Sequence, residues 1–268
     1  MRVRNLLIIA IYFNLTACVS WEKIPLSGRD HPSGFADQIR ETARSTYEYA
    51  QLATNSYAGG DSFQLGRTLS FVKEQEPSTG NFQYKIFNRV EDGNLVEIII
   101  AYRGTDAILG DLSGNALLKQ QKAGLVVFDN VREEHRKTKI SVTGHSLGGA
   151  IASHVTLNRE NVDGYFFNTS PRFARGKRRF DNLRHSVVEF GDILKSIRLF
   201  GREPTQIYTS INCTNGGVAS QHSSRNLAEC LTWIAAWEDV DAKSSVSKNS
   251  IARPDTRSNG PDVPRGGN

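Results

Sequence analysis

The feature that most constrains this chain is a serine set between glycines, where a strand hands over to a helix. Residues 139–155 read KISVTGHSLGGAIASHV. Alternating Ile140 and Val142 predict a strand, and the small, apolar run Ala150, Ile151, Ala152 and Val155 predicts a helix. Between them, Gly144-His145-Ser146-Leu147-Gly148 fits G-x-S-x-G, a turn that raises a serine hydroxyl above a sheet edge. Glycines around Ser146 let the backbone reverse sharply, and Gly149 lets the helix lie close to the strand. A serine so placed is a candidate nucleophile.

The rest of the chain supplies the elements that such a turn needs. Residues 35–57 predict a helix, with Phe35, Ile39, Ala43, Tyr47, Ala50, Ala53 and Tyr57 on one stripe. Two β-rich segments, 68–73 and 82–89, follow, and the turn 91–94 leads into a strand over 95–102. Its run Val96, Ile98, Ile99, Ile100 is that of a central strand covered on both faces. Leu125, Phe128 and Val131 mark a helix feeding the elbow strand. Short strands are expected at 163–168, 186–190 and 206–211, then a helix over 223–238 whose Trp233 and Trp237 pack on the sheet. Strands alternating with helices predict an α/β fold with a mainly parallel central sheet flanked by helices.

The two ends read differently. Arg2 and Arg4, the apolar run 6–13 and then Leu15-Thr16-Ala17-Cys18 describe a secretory signal, too short to remain as a membrane-spanning helix. Residues 1–17 are the expected signal peptide and 18–34 a linker. The folded domain is expected over 35–242, and a Ser-, Asn-, Arg-, Gly- and Pro-rich disordered tail over 243–268. Removing residues 1–17 takes away two arginines and no acid, lowering the formal charge from +5 to +3. That mild excess does not argue for nucleic acid. Cys213 and Cys230 remain, in an oxidising compartment, as a disulfide pair or as two buried thiols.

A serine hydroxyl needs a base to take its proton and a carboxylate to orient that base. Three histidines follow Ser146. His154 lies along the elbow helix and cannot curl back, and His185 precedes a strand, at the wrong end of the sheet. His222 follows the strand 206–211 in a polar loop, at the carboxyl edge where sites of open α/β sheets gather. Asp192 emerges at the same edge after the strand 186–190, whereas Glu189 lies inside that strand and Asp163 and Asp181 lie before strands. Ser146, Asp192 and His222 are therefore the expected triad. The oxyanion needs preorganised donors, expected from the backbone of Leu147 and from Thr105, which follows the strongest strand.

These segments also carry a family resemblance. AYRGTD at 101–106, TGHSLGGAIA at 143–152, NTSPR at 168–172, FGDIL at 190–194 and QHSSRNL at 221–227 together resemble class 3 lipases. The resemblance implies an α/β-hydrolase-like fold, Ser146, Asp192 and His222 as triad, and Thr105 with Leu147 at the oxyanion hole. Two departures stand out. Residues 107–121 lack the tryptophan and the Gly-aromatic segment usual in that family, and Asn168-Thr169 replaces its Phe-Gly. The N-terminal L-T-A-C in turn resembles the lipobox of bacterial lipoproteins. It implies cleavage before Cys18, acylation of that cysteine, and anchoring in the cell envelope. Val19 in the next position favours the outer membrane.

The expected activity is lipid-anchored ester hydrolysis, on lipid acyl esters of lipase or phospholipase type, through an acyl-enzyme. A non-catalytic binding or assembly protein on the same fold, and a thioesterase with the same triad, are the alternatives. Six basic residues around one acid in 172–184 suit anionic phospholipid headgroups or a solvated loop. No metal-ligand spacing, phosphate-binding glycine loop or dinucleotide fingerprint is present, so no metal or cofactor is expected.

Overall fold

The computed structural model describes residues 31–57, 59, 62–74, 82–104, 114–170, 180–192 and 207–255. Its frame is one seven-stranded sheet in the order β1 (Leu69–Glu74), β2 (Tyr84–Glu91), β3 (Asn94–Tyr102), β4 (Lys139–His145), β5 (Val162–Phe167), β6 (Arg184–Glu189), β7 (Ile207–Ile211). β1, β2 and β3 are antiparallel, and β3 to β7 run parallel. Parallel neighbours need a long crossover connection, while the tight turn at Asp92-Gly93 makes β2 and β3 an antiparallel hairpin. The result is an α/β fold with a mainly parallel central sheet flanked by helices.

Helices cover both faces of the sheet. On one face α2 (Gly114–Glu134) and α3 (Leu147–Asn158) bury Phe128, Val131, Ile151 and Val155 against Ile98, Ile100, Ile140 and Val142. The opposite face packs Ile99, Phe167, Val187 and Ile211 against α1 (Asp37–Asn55) and α5 (Ser224–Ala235). Ile99 and Ile100 are fully buried on opposite faces, as the unbroken apolar run requires. Each such side chain withdrawn from water contributes about 2 kcal/mol. β4 departs from this pattern. Ile140 and Val142 face α3, but the alternate residues Ser141, Thr143 and His145 are buried and polar. Ser141 donates to Glu97, and Thr143 donates to the Tyr49 carbonyl of α1 at 3.1 Å.

Three expectations need correction. The chain does not lose structure at 243. Asp239 caps α6 (Val240–Lys248) by accepting from the backbone of Asp241 and Ala242, and Ile251 is buried in the core. Composition hid this element because α6 fully buries only Ala242 and Ser245, with Val246 partly buried against the same core. The helix expected over 223–238 accordingly stops at Ala235. Second, Trp237 is 45 % exposed, edge-on to Trp233, instead of packing on the sheet. Third, β6 begins at Arg184, so His185 lies within the strand, beside Tyr165. Arg184, counted with the basic run, is only 1 % exposed, and its guanidinium donates to the Phe180 carbonyl. Residues 172–179 of that run, and the signal, Cys18 and linker up to residue 30, lie outside the described residues. Among the described residues no helix is long and apolar enough to cross a membrane.

Candidate active site

β4 ends at His145 and α3 begins at Leu147, so Ser146 alone makes the turn. Its backbone has φ 55° and ψ −119°, a conformation that side-chain-bearing residues seldom adopt. The neighbours hold it there. The Ser146 N–H donates to the Phe167 carbonyl and the Ser170 N–H donates to the Ser146 carbonyl, both at 3.0 Å. A Cβ on Gly144 would lie 2.7 Å from the Gly149 nitrogen, and one on Gly148 would lie 2.8 Å from the Tyr102 carbonyl carbon. Only glycine lets α3 seat this closely on β3 and β4. A serine preceding a helix usually caps it with its hydroxyl, yet Ser146 makes no such bond. The hydroxyl goes elsewhere.

Its partner is His222, whose Nε2 lies 3.0 Å from Ser146 Oγ. His222 Nδ1 is 2.7 Å from Asp192 Oδ1. With the carboxylate accepting from Nδ1–H, Nε2 is left to accept the serine proton. All three residues are buried. Asp192 lies three residues beyond β6, its N–H donating to the Glu189 carbonyl at 3.1 Å. His222 follows β7 and the short helical turn α4 (Val218–Gln221). The carboxyl ends of β4, β6 and β7 thus bring a serine hydroxyl, a carboxylate and an imidazole to one rim. Such an arrangement can move a proton off a serine as it attacks.

Residues 99–161 match the family model for class 3 lipases. The structure is similar to a lipase from Rhizopus microsporus var. chinensis, with 18 % identity over 62 % of this chain and 71 % of that one, TM-score 0.45. It is similar to the Rhizomucor miehei lipase propeptide complex, at 22 % identity over 61 % and 65 %, TM-score 0.45. It is also similar to the Lip2 lipase of Yarrowia lipolytica, at 15 % identity over 63 % and 78 %, TM-score 0.42. No curated protein matches the chain in sequence.

The remaining expected residues fall as follows. Leu147 occupies the first turn of α3, where backbone N–H groups have no acceptor inside the helix. Thr105 lies outside the described residues. The preceding Gly104 passes so close to the elbow that a Cβ there would meet the His145 carbonyl at 2.6 Å. Cys213 and Cys230 form a disulfide that closes a loop around His222. His154 sits on α3 beside Asn158, and His185 is buried in β6, where burial lowers its pKa to about 4. Neither joins Ser146. Among the described residues, no group of His, Cys, Asp and Glu is arranged to hold a metal ion.

Two site neighbours were missed in the sequence. Tyr57, just past α1, has its hydroxyl 3.0 Å from His145 Nδ1, and the His145 ring lies 4.8 Å from that of His222. The Arg103 guanidinium lies 5.7 Å from the centre of the Tyr57 ring. His145 was visible inside the elbow motif. Tyr57 looked like one more member of an apolar stripe, and no local pattern distinguishes it from the core tyrosines.

Proposed function

We propose that this chain is a serine carboxylic ester hydrolase acting on lipid acyl esters, through Ser146, His222 and Asp192. The observation that carries the reading is the pair of hydrogen bonds from Ser146 through His222 to Asp192, set on a strained turn with no structural need for a serine. Ser146 Oγ attacks the acyl carbonyl carbon as its proton passes to His222 Nε2, and Asp192 stabilises the imidazolium. The backbone N–H of Leu147 and the N–H and hydroxyl of Thr105 receive the oxyanion. His222 returns the proton to the leaving alcohol, leaving an acyl ester on Ser146. Water, deprotonated by His222, then releases the fatty acid.

Cleavage and acylation at Cys18 would hold the enzyme at a membrane surface of the bacterial envelope, with the outer membrane favoured by Val19. Its substrate would lie in that surface. The match of residues 99–161 to the class 3 lipase model supports a lipid ester over a small soluble one, and the five basic residues within 172–179 suit a phospholipid, Arg184 being buried in β6.

The test compares wild type and Ser146→Ala on a short-chain ester, a triglyceride, a phospholipid and an acyl thioester. We expect wild-type hydrolysis of at least one lipid ester and a loss of about a thousandfold or more in the variant. Equal rates would remove the mechanism. A folded protein that forms no fluorophosphonate adduct on Ser146 would instead be a binding protein, and preference for the thioester would make it a thioesterase. Palmitate labelling abolished by Cys18→Ala checks the anchor.

A further inference from the structure

Asn168 is the first residue beyond β5, fully buried and with φ 43°. Its carboxamide works in two directions. The oxygen accepts the Glu189 N–H at 2.7 Å, and the nitrogen donates to the Gln221 carbonyl at 3.1 Å. One partner is a donor and the other an acceptor, so only one orientation of the amide satisfies both. Gln221 directly precedes His222. Glu189 ends β6, and its carbonyl accepts the N–H of Asp192.

Glu189 extends the same web. Its buried carboxyl group accepts the Cys213 N–H at 3.0 and 3.1 Å and the Thr214 N–H at 3.3 Å, where the chain leaves β7. The segment carrying His222 is therefore tied to the turn carrying Asp192 at its start, through Glu189, and at its end, through Asn168. Neither residue bonds to Ser146, His222 or Asp192 by its side chain in these contacts. Both act on the backbone that carries them.

We propose that Asn168 and Glu189 form a positioning clamp that sets the His222 imidazole against the Asp192 carboxylate, a role that rests on the hydrolase reading of that pair. Two loops leaving different strands meet at the rim with their catalytic groups 2.7 Å apart. Rigid backbone ties are what hold such groups in a reactive geometry, since a misplacement of about 1 Å can cost about a hundredfold in rate. Burying a carboxamide and a carboxyl group is costly unless each is hydrogen-bonded. A clamp that fails to form therefore leaves unpaired groups beside the site.

The experiment uses Asn168→Gly, which tolerates the backbone angle but loses both bonds, and Asn168→Asp, which keeps the acceptor and opposes the Gln221 carbonyl with an oxygen. Glu189→Gln probes the other half. Asp239→Ala, at the distant α6 cap, controls for destabilisation alone. We expect kcat to fall about tenfold to a hundredfold in the Asn168 variants with KM within about twofold, and kcat to hold in the control. The low-field proton resonance of the His222 Nδ1–H, assigned by its loss in His222→Gln, should move upfield or broaden in the clamp variants.

That resonance does not depend on turnover. If it shifts while wild type hydrolyses no ester, the clamp stands and the hydrolase reading falls. Folded Asn168→Gly with unchanged resonance and kcat overturns the clamp. Should that variant not fold, Asn168→Asp and Glu189→Gln carry the same two readouts.

Discussion

Asp192 and Asp181 bracket the β6 strand, and their fates should separate sharply. Asp192 accepts from His222 Nδ1 within a buried triad, so Asp192→Asn can present its amide N–H₂ to that nitrogen and favour the wrong imidazole tautomer. We expect Asp192→Asn to lower kcat about a thousandfold or more, and Asp181→Asn to stay within about twofold. Steady-state hydrolysis of a short-chain ester decides it, and the reverse ranking would reassign the acid. The placement of Asp192 and His222 was legible because each follows a recognisable strand in a mainly parallel sheet, and strand ends define the rim. The web of Asn168 and Glu189 was not legible. Its bonds join backbone groups 53, 24 and 21 residues away, and a spacing with no period leaves no trace in a local pattern.

At the scale of elements, the chain beyond 242 and the Cys213–Cys230 bridge matter most. Ile251 joins the cluster formed by α1 and α5, so Ile251→Ala should cost about 2–3 kcal/mol, measured by urea unfolding. An unchanged midpoint would return that segment to the status of a tail. The disulfide spans 17 positions and encloses His222. Replacing both cysteines by alanine should cost about 3 kcal/mol and lower kcat as well, because the loop that carries His222 is less restrained. Sequence patterning found the strands and the long helices because their apolar periodicity is strong. It missed α6, whose inward face is one alanine, one serine and a partly buried valine, and it placed the start of β6 two residues late because Arg184 and His185 are poor markers of a buried strand.

The whole molecule should weaken in acid in two stages. Burial holds His185 at a pKa of about 4, below the ~6.5 of an exposed imidazole, so the unfolded chain takes up that proton first as pH falls. Stability should therefore drain between about pH 6.5 and 4, by about 3 kcal/mol. His185 Nε2 has no hydrogen-bond partner among the described residues, so His185→Phe should flatten this slope without a matching loss at neutral pH. The second stage belongs to Glu97. Burial alone would raise its pKa, but hydrogen bonds from Ser141 and Arg89 and the charges of Lys139 and Arg89 hold it below the ordinary carboxylate range. Its contribution is present above that range and is lost as pH falls through the depressed value. Thermal midpoints across pH 3–8 should show both limbs, with Glu97→Gln removing the lower one.

By itself the sequence determined the elbow, a mainly parallel sheet and the residue types gathered at the carboxyl ends of its strands. Those follow from local rules: which residues permit a reversed backbone, which periods bury a face, and which connections a parallel pair allows. Tertiary structure alone decided that Tyr57 meets His145, that Cys213 and Cys230 are joined, that residues 243–251 pack back on the core, and that an asparagine and a glutamate tie the histidine loop to the acid turn. Each of these is a contact between segments distant along the chain. Its partner is chosen by where the sheet places both, which no window of sequence contains.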